Sequence, residues 1–159
     1  MIPDRHLGFG IAFASPLMPP LPRIEDRIAF TLRCDLFVMA WLAAAVAAVA
    51  RGRFFSAADI GGSGFSEAGP RIAVSSAVLQ NTLEQALIAV VTHLMLASLL
   101  RGREMIVVPL LVGLFCAGRL AFWLGYKHGA GGRAFGFGLT FYPSVLALGL
   151  AFVMLALRG

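Results

Sequence analysis

An all-α bundle of four membrane-crossing helices, running up-down-up-down, is the fold class this sequence predicts, and three observations predict it. Of 159 residues, 59% are hydrophobic and 13% charged, with a mean hydropathy of +0.85, whereas a soluble domain carries about 25% charge. The uncharged positions fall in four runs close to the roughly 17–25 residues that cross a bilayer as helix. The connections between runs are short, which favours antiparallel neighbours. Four spans of about 22 residues occupy roughly 88 positions. That leaves no room for a soluble domain.

Residues 1–27 read as a Pro-rich surface preface, with Pro16, Pro19, Pro20 and Pro22 closing a short apolar stretch. Ala12, Phe13 and Ala14 resemble a signal-peptidase site, but the apolar core before them is too short for a signal peptide. The membrane domain, residues 28–159, then begins. Its first span is expected over about residues 28–50, stopped by Arg51 and Arg53, and a Gly- and Ser-rich loop follows through Gly61, Gly62, Ser63 and Gly64. A second span over 72–100 is broken only by Gln80, Asn81, Thr82, Glu84 and Gln85. As helix it measures about 43 Å, so it must tilt or protrude. Arg101 to Glu104 form a tight turn into the third span, 105–126, and Lys127 to Gly132 a Gly-rich turn into the fourth, 134–157, where Pro143 predicts a kink. Ala117, Ala121 and Gly125, with Gly132 and Gly136, permit close helix approach, either within the chain or between subunits.

A net charge of +5 and a pI near 10.2 raise the question of nucleic acid. The basic residues, however, stand singly or in twos at the ends of apolar runs, the pattern of membrane anchors. No nucleic-acid partner is expected; the partner is membrane lipid. Cys34 and Cys116 both fall inside spans, and His93 has no second ligand at metal spacing, so no metal site is expected and His93 reads as a hydrogen-bonded packing residue.

Alternating spans bring the end of the first, the start of the second, the end of the third and the start of the fourth to one membrane face. Those places hold Arg51 and Arg53, Asn81 and Glu84, Arg119 and Tyr126, and Arg133. Apart from Arg33 and Asp35 in the first turns of span one, the intramembrane polar chemistry is therefore expected on one side, which argues against a transporter or channel needing a polar path through both leaflets. An ionised residue at the depth of Glu84 costs about 2.5–3.5 kcal/mol unless paired. Arg119 is its expected partner.

The segment Leu79-Gln80-Asn81-Thr82-Leu83-Glu84-Gln85, followed by Gly118-Arg119, Gly125-Tyr126 and Arg133-Ala134-Phe135-Gly136, resembles the MAPEG family, the membrane-associated proteins in eicosanoid and glutathione metabolism, and looks most like its bacterial branch. The resemblance implies a homotrimer with glutathione as co-substrate, bound between protomers in the cytosolic half of the membrane, and a multi-pass protein of the inner membrane if bacterial. It implies transfer of glutathione to lipophilic electrophiles, or reduction of lipid hydroperoxides, with a lipophilic small molecule as acceptor. By position Asn81, Glu84 and Tyr126 match glutathione contacts and Arg133 the arginine that activates the thiol, while Arg51 or Arg53 matches a basic residue at the first helix's end. Gln80 and Phe122 stand where several relatives have Arg and His. Those departures lean toward the second reading, a non-catalytic lipid-binding or scaffold protein of the same fold.

The residue types suit this ligand on chemical grounds. Glutathione has two carboxylates, one ammonium and a thiol, which call for guanidinium groups and an acid; Arg51, Arg53, Arg119 and Glu84 supply them. A thiol near its ordinary pKa of about 8.5 is mostly protonated at neutral pH, and a nearby guanidinium raises its thiolate fraction. Arg133 either does this or anchors a helix end at the headgroups, and Tyr126 is either a ligand contact or an interfacial tyrosine.

Overall fold

The computed structural model describes residues 21–57, 59–61 and 69–158. The proline cluster at residues 16–20, the signal-like Ala12 to Ala14 and the glycines at 62 and 64 lie outside the described residues. The element order is α1 (Ile24–Phe54), α2 (Pro70–Leu99), a short 3-10 turn (Gly102–Ile106), α3 (Val107–Gly125), a second 3-10 turn (Tyr126–His128) and α4 (Gly129–Arg158). Three stretches are long and apolar enough to cross a membrane: Ile24–Phe54, Pro70–Leu99 and Gly102–Leu157, the last holding both α3 and α4.

Why each helix begins and ends follows from its terminal residues. α1 starts four residues before the expected span because Glu25 and Asp26 stabilise its first turn, and it ends with Arg51 and Arg53 in its last, each sign placed where the helix dipole favours it. Pro70 opens α2 at a position whose N–H needs no helical partner. The turn before α3 is fixed by the Arg101 N–H donating to Glu104 Oε2 at 2.9 Å and the Glu104 N–H donating to Arg101 O at 3.1 Å, with Gly102 at φ 53°. The expected turn over 127–132 is shorter than predicted. Three residues of 3-10 helix and Gly129 at φ 77° reverse the chain, and α4 begins at once. α4 runs on through Pro143.

Packing pairs show the directions. On α1 and α2, Arg27 meets Ala97, Asp35 meets His93 and Gly52 faces Ile72, so the numbers fall on one helix as they rise on the other. On α3 and α4, Gly118 faces Gly136 and Thr140, and Gly125 faces Gly132. Both pairs are antiparallel. The glycines whose role was open serve contact inside the chain: a Cβ on Gly132 would lie 2.5 Å from Gly125 O, and one on Gly125 2.6 Å from the carbonyl carbon of Gly132. The core has two parts. One joins Leu96, Ala97, Met105, Val108, Ala147 and Ala151; the other joins Val38, Ala86, Ala89, Val112 and Phe115.

The α1–α2 connection is held by Asp59, which accepts the Gly69 N–H at 2.8 Å and the Ser56 hydroxyl at 2.6 Å. Hydrogen bonding from Gly69, then Ser56, together with the charge of Arg53, outweighs desolvation and holds this carboxyl below the usual carboxylate range. A lowered folded-state pKa gives stability that is present above the unfolded value of about 3.9 and lost as pH falls through the folded one. Exchange of the Gly69 amide is therefore expected to quicken as pH drops below about 4, beyond its intrinsic pH dependence. Asp59→Asn should remove that extra dependence, and an unaltered profile would count against the clamp.

Candidate functional site

The antiparallel order brings Asn81 of α2, Tyr126 at the end of α3 and Arg133 of α4 to one groove of about 440 Å³, completed by Ala77, Phe122, Phe137 and Tyr142. Arg133 is half-buried, its guanidinium carbon 4.7 Å from the centre of the Tyr126 ring. Such a cation–π contact fixes the plane of the guanidinium and leaves its N–H edge for a ligand. Because α4 begins at Gly129, Arg133 sits a full turn inside the helix, not at its first residue as the sequence suggested. The dipole's influence fades over that first turn, so the local positive field is the guanidinium's own.

Arg119 does not pair with Glu84. It is 2% exposed, donates from Nη1 to Asn81 Oδ1 at 2.8 Å and from Nη2 to Thr140 Oγ1 at 2.6 Å, and lies 4.6 Å from the Phe122 ring centre. Its Nε–H is buried without a partner. Arg119 thus stands behind the groove and fixes Asn81, whose amide NH2 must point away from a guanidinium. Glu84 lies on the exposed surface of α2, where its carboxylate accepts from Gln80 Nε2 at 2.8 Å. Three residues advance a helix by about 300°, so Asn81 and Glu84 are neighbours but point about 60° apart, enough to send one inward and the other out.

Arg51 and Arg53 are not brought to this groove. Arg51 lines a separate, open depression with Arg71, Ser56 and Asp59 at the ends of α1 and α2. Between the two lies a third space of about 490 Å³, walled by Trp41, Ala45 and Ala48 of α1, Val74 and Val78 of α2, and Phe122 and Trp123 of α3. Phe122 and Tyr126 line both this cavity and the Arg133 groove.

Polar chemistry is not confined to one membrane face. Near the opposite end, His93 Nδ1 lies 2.6 Å from Asp35 Oδ1, the side chains 1% and 3% exposed, and Arg27 Nε donates to Ala97 O at 2.9 Å. The packing role expected for His93 is met, with Asp35 as the partner the sequence did not name. Arg33, two residues away, is exposed. Among the described residues no group of three or more His, Cys, Asp or Glu is placed to hold a metal ion.

Long apolar helices folded into antiparallel pairs around buried arginine, histidine and aspartate define a multi-pass helical membrane protein. Residues 28–154 match the MAPEG family, and the chain belongs to it. It is 28% identical to Transmembrane protein 79 of Mus musculus over 135 residues, covering 82% of this chain and 32% of that protein. It is 27% identical to Transmembrane protein 79 of Bos taurus over 125 residues, covering 79% of this chain and 31% of that protein. The chain therefore spans about a third of the length of these relatives. The expected bacterial branch is not borne out, since these relatives are mammalian. No solved structure matches the chain.

Proposed function

We propose that the groove between α2, α3 and α4 binds glutathione, and that the protein joins glutathione through its sulfur, as the thiolate, to lipophilic electrophiles or uses its thiol to reduce lipid hydroperoxides. The observation that carries this reading is the Arg133 guanidinium stacked on Tyr126 in the same groove as Asn81. A thiol beside Arg133 ionises more readily, because the positive charge favours the thiolate. Asn81, fixed by Arg119, offers amide donors to a carboxylate. The acceptor reaches the groove laterally from the lipid, which explains why such chemistry is built between helices.

In this reading α1 to α4 all cross the bilayer and three copies assemble. Glu84 supports the assembly: a carboxylate on the outer surface of α2, flanked by exposed Leu83 and Leu87, is costly against lipid and is relieved when a neighbouring copy covers it. There it can meet the ammonium of a ligand shared between copies. Arg51 and Arg53, remote from the groove within one chain, contribute only if a neighbour's groove comes to them. A non-catalytic lipid-binding or scaffold protein is the second reading, favoured by Phe122. Its ring fills the space between Arg119 and Tyr126 and offers a thiol no proton donor or acceptor.

Purified protein assayed with glutathione and chlorodinitrobenzene or cumene hydroperoxide separates the two. Turnover and thermal stabilisation by glutathione are expected; the absence of both at saturation leaves the scaffold reading. In the same assay Arg133→Ala should lower kcat by about tenfold or more, the effect of one pKa unit on a mostly protonated thiol. Glutathione affinity should change only a few-fold. Unchanged turnover removes Arg133 from thiol activation.

A further inference from the structure

The end of the bundle opposite the Arg133 groove holds a polar seam that has no part in the proposed thiol chemistry. On α1, Arg27, Thr31 and Asp35 follow one another at intervals of four residues and therefore share one face. That face is turned to α2. Arg27 Nε donates to Ala97 O at 2.9 Å, and Asp35 Oδ1 lies 2.6 Å from His93 Nδ1. Thr31, 0% exposed, stands midway between these two contacts, which sets it against the turn of α2 from His93 to Ala97.

Two buried oxygens of this seam, Thr31 Oγ1 and Asp35 Oδ2, meet no hydrogen-bond partner among the described residues. A threonine inside a helix ordinarily gives its hydroxyl to the carbonyl one turn back, as Thr82 does to Val78 O at 2.7 Å. Thr31 does not. A buried hydroxyl or carboxylate oxygen left unbonded costs the full penalty of its desolvation, so both atoms call for a ligand that forms hydrogen bonds. The surroundings limit its size and charge. Val38 next to Asp35 on the same face, and Ala89, Leu96 and Ala97 about one turn from His93, are all 0% exposed, which encloses the seam and leaves room only for something small. With His93 neutral, the charges of Arg27 and Asp35 cancel. A bound cation would leave net charge inside the membrane, with two side-chain oxygens where hard cations take about six or more ligands.

We propose that the α1–α2 seam binds one buried water molecule, which bridges Thr31 Oγ1 and Asp35 Oδ2. The water donates to Oδ2 and accepts the Thr31 hydroxyl proton. Two partners of this kind suffice, because a buried water takes about two to four. Each oxygen of Asp35 then has its own donor, His93 on Oδ1 and the water on Oδ2, and an acid inside the membrane is satisfied without any ligand at the surface. The site lies at the far end of the bundle from the Arg133 groove and stands without glutathione.

The sign of one substitution tests the bridge. Thr31→Val keeps the outline of the side chain and removes its hydroxyl. A hydroxyl bonded through water is lost with it, and the ratio of folded to unfolded protein in graded SDS should fall about fivefold. A hydroxyl bonded to nothing is better replaced by methyl, and the ratio should then rise. A second measurement uses the unaltered full chain in phosphatidylcholine bilayers, labelled at threonine and aspartate, with solid-state NMR following magnetisation passed from water. The Thr31 methyl and the Asp35 carboxyl should receive it several-fold faster than the Thr140 methyl, which is 1% exposed but has its hydroxyl bonded to Arg119 and Phe137. Should Thr31→Val not fold, this comparison carries the test. The results should be the same in sodium, potassium and choline chloride; stabilisation by sodium alone would mean that the seam takes a cation and would overturn the water. A rise in stability with Thr31→Val, or transfer to Thr31 no faster than to Thr140, overturns the site as well. Glutathione takes no part in either measurement, so such a result leaves the thiol reading as it stands, and loss of glutathione turnover leaves this site as it stands.

Discussion

Gly136→Ala is expected to destabilise the protein by about 3 kcal/mol, the upper end of the range for overpacking a core, and Gly136→Leu to leave no folded protein in detergent extracts. A Cβ at this position would lie 2.5 Å from Phe122 Cα and 2.7 Å from Gly118 O. These are backbone atoms, which cannot turn aside as a flexible side chain does. Relief requires α3 and α4 to move apart, and that motion would spread to Gly118, whose own Cβ would meet Thr140 N at 3.1 Å. The same separation would draw Thr140 away from Arg119 and loosen Asn81. The control is Gly113→Ala on α3, where nothing lies within 4 Å of an added Cβ; there alanine's better helix propensity should stabilise by up to about 1 kcal/mol. Unfolding in graded SDS measures both. Similar values for the two glycines would mean that the α3–α4 approach is not the constraint described.

What could be read from the sequence was what depends on one helix at a time. Runs of uncharged residues gave the helices, and the alternation of their directions placed Asn81, Arg119, Tyr126 and Arg133 at one end. Asn81, Tyr126 and Arg133 do share a groove, with Arg119 bonded to the first of them. What could not be read was rotation about each axis. Asn81 and Glu84 are close enough in sequence to be taken for one face, yet Asn81 intercepts Arg119 and Glu84 is left outside. Thr140, the second partner of Arg119, gave no signal because threonine in such a helix ordinarily bonds its own backbone, as this one also does with Phe137 O at 2.9 Å. Helix ends drifted for a similar reason. Gly129 does turn the chain at φ 77°, but Gly132 packs against Gly125, where the absence of a Cβ is needed, and the residues after Gly129 are helical, not a loop.

Arg51 shows the same limit from another side. At the end of an apolar run an arginine is a membrane anchor by default, and sequence position alone made it a candidate for the thiol site. Its placement beside Arg71, across α1 and α2 from the Arg133 groove, turns on the antiparallel register that sets Gly52 against Ile72. The cavity walled by α1, α2 and α3 and the Arg133 groove share Phe122 and Tyr126 as a common wall. A change in either ring reaches both.

His93→Leu should cost about 3–5 kcal/mol, the penalty for leaving one member of a buried pair without the other. His93 Nδ1 carries the proton that Asp35 Oδ1 accepts at 2.6 Å, whether the imidazole is charged or neutral. Asp35 Oδ2 and the neighbouring Thr31 Oγ1 already lack protein partners in the same buried place. Leucine would leave that carboxylate with no protein donor in an apolar setting, where an unpaired buried polar group is costly. Asp35→Asn is expected to be milder, because the amide oxygen still accepts from Nδ1. The double variant Asp35→Leu with His93→Leu should recover most of the loss, since two apolar groups of matching volume replace both halves of the pair. Stability in graded SDS, measured for the two single variants and the double, gives the coupling energy directly. Additive losses in the double variant would mean that His93 and Asp35 act independently and that α1 and α2 are joined by their apolar contacts alone.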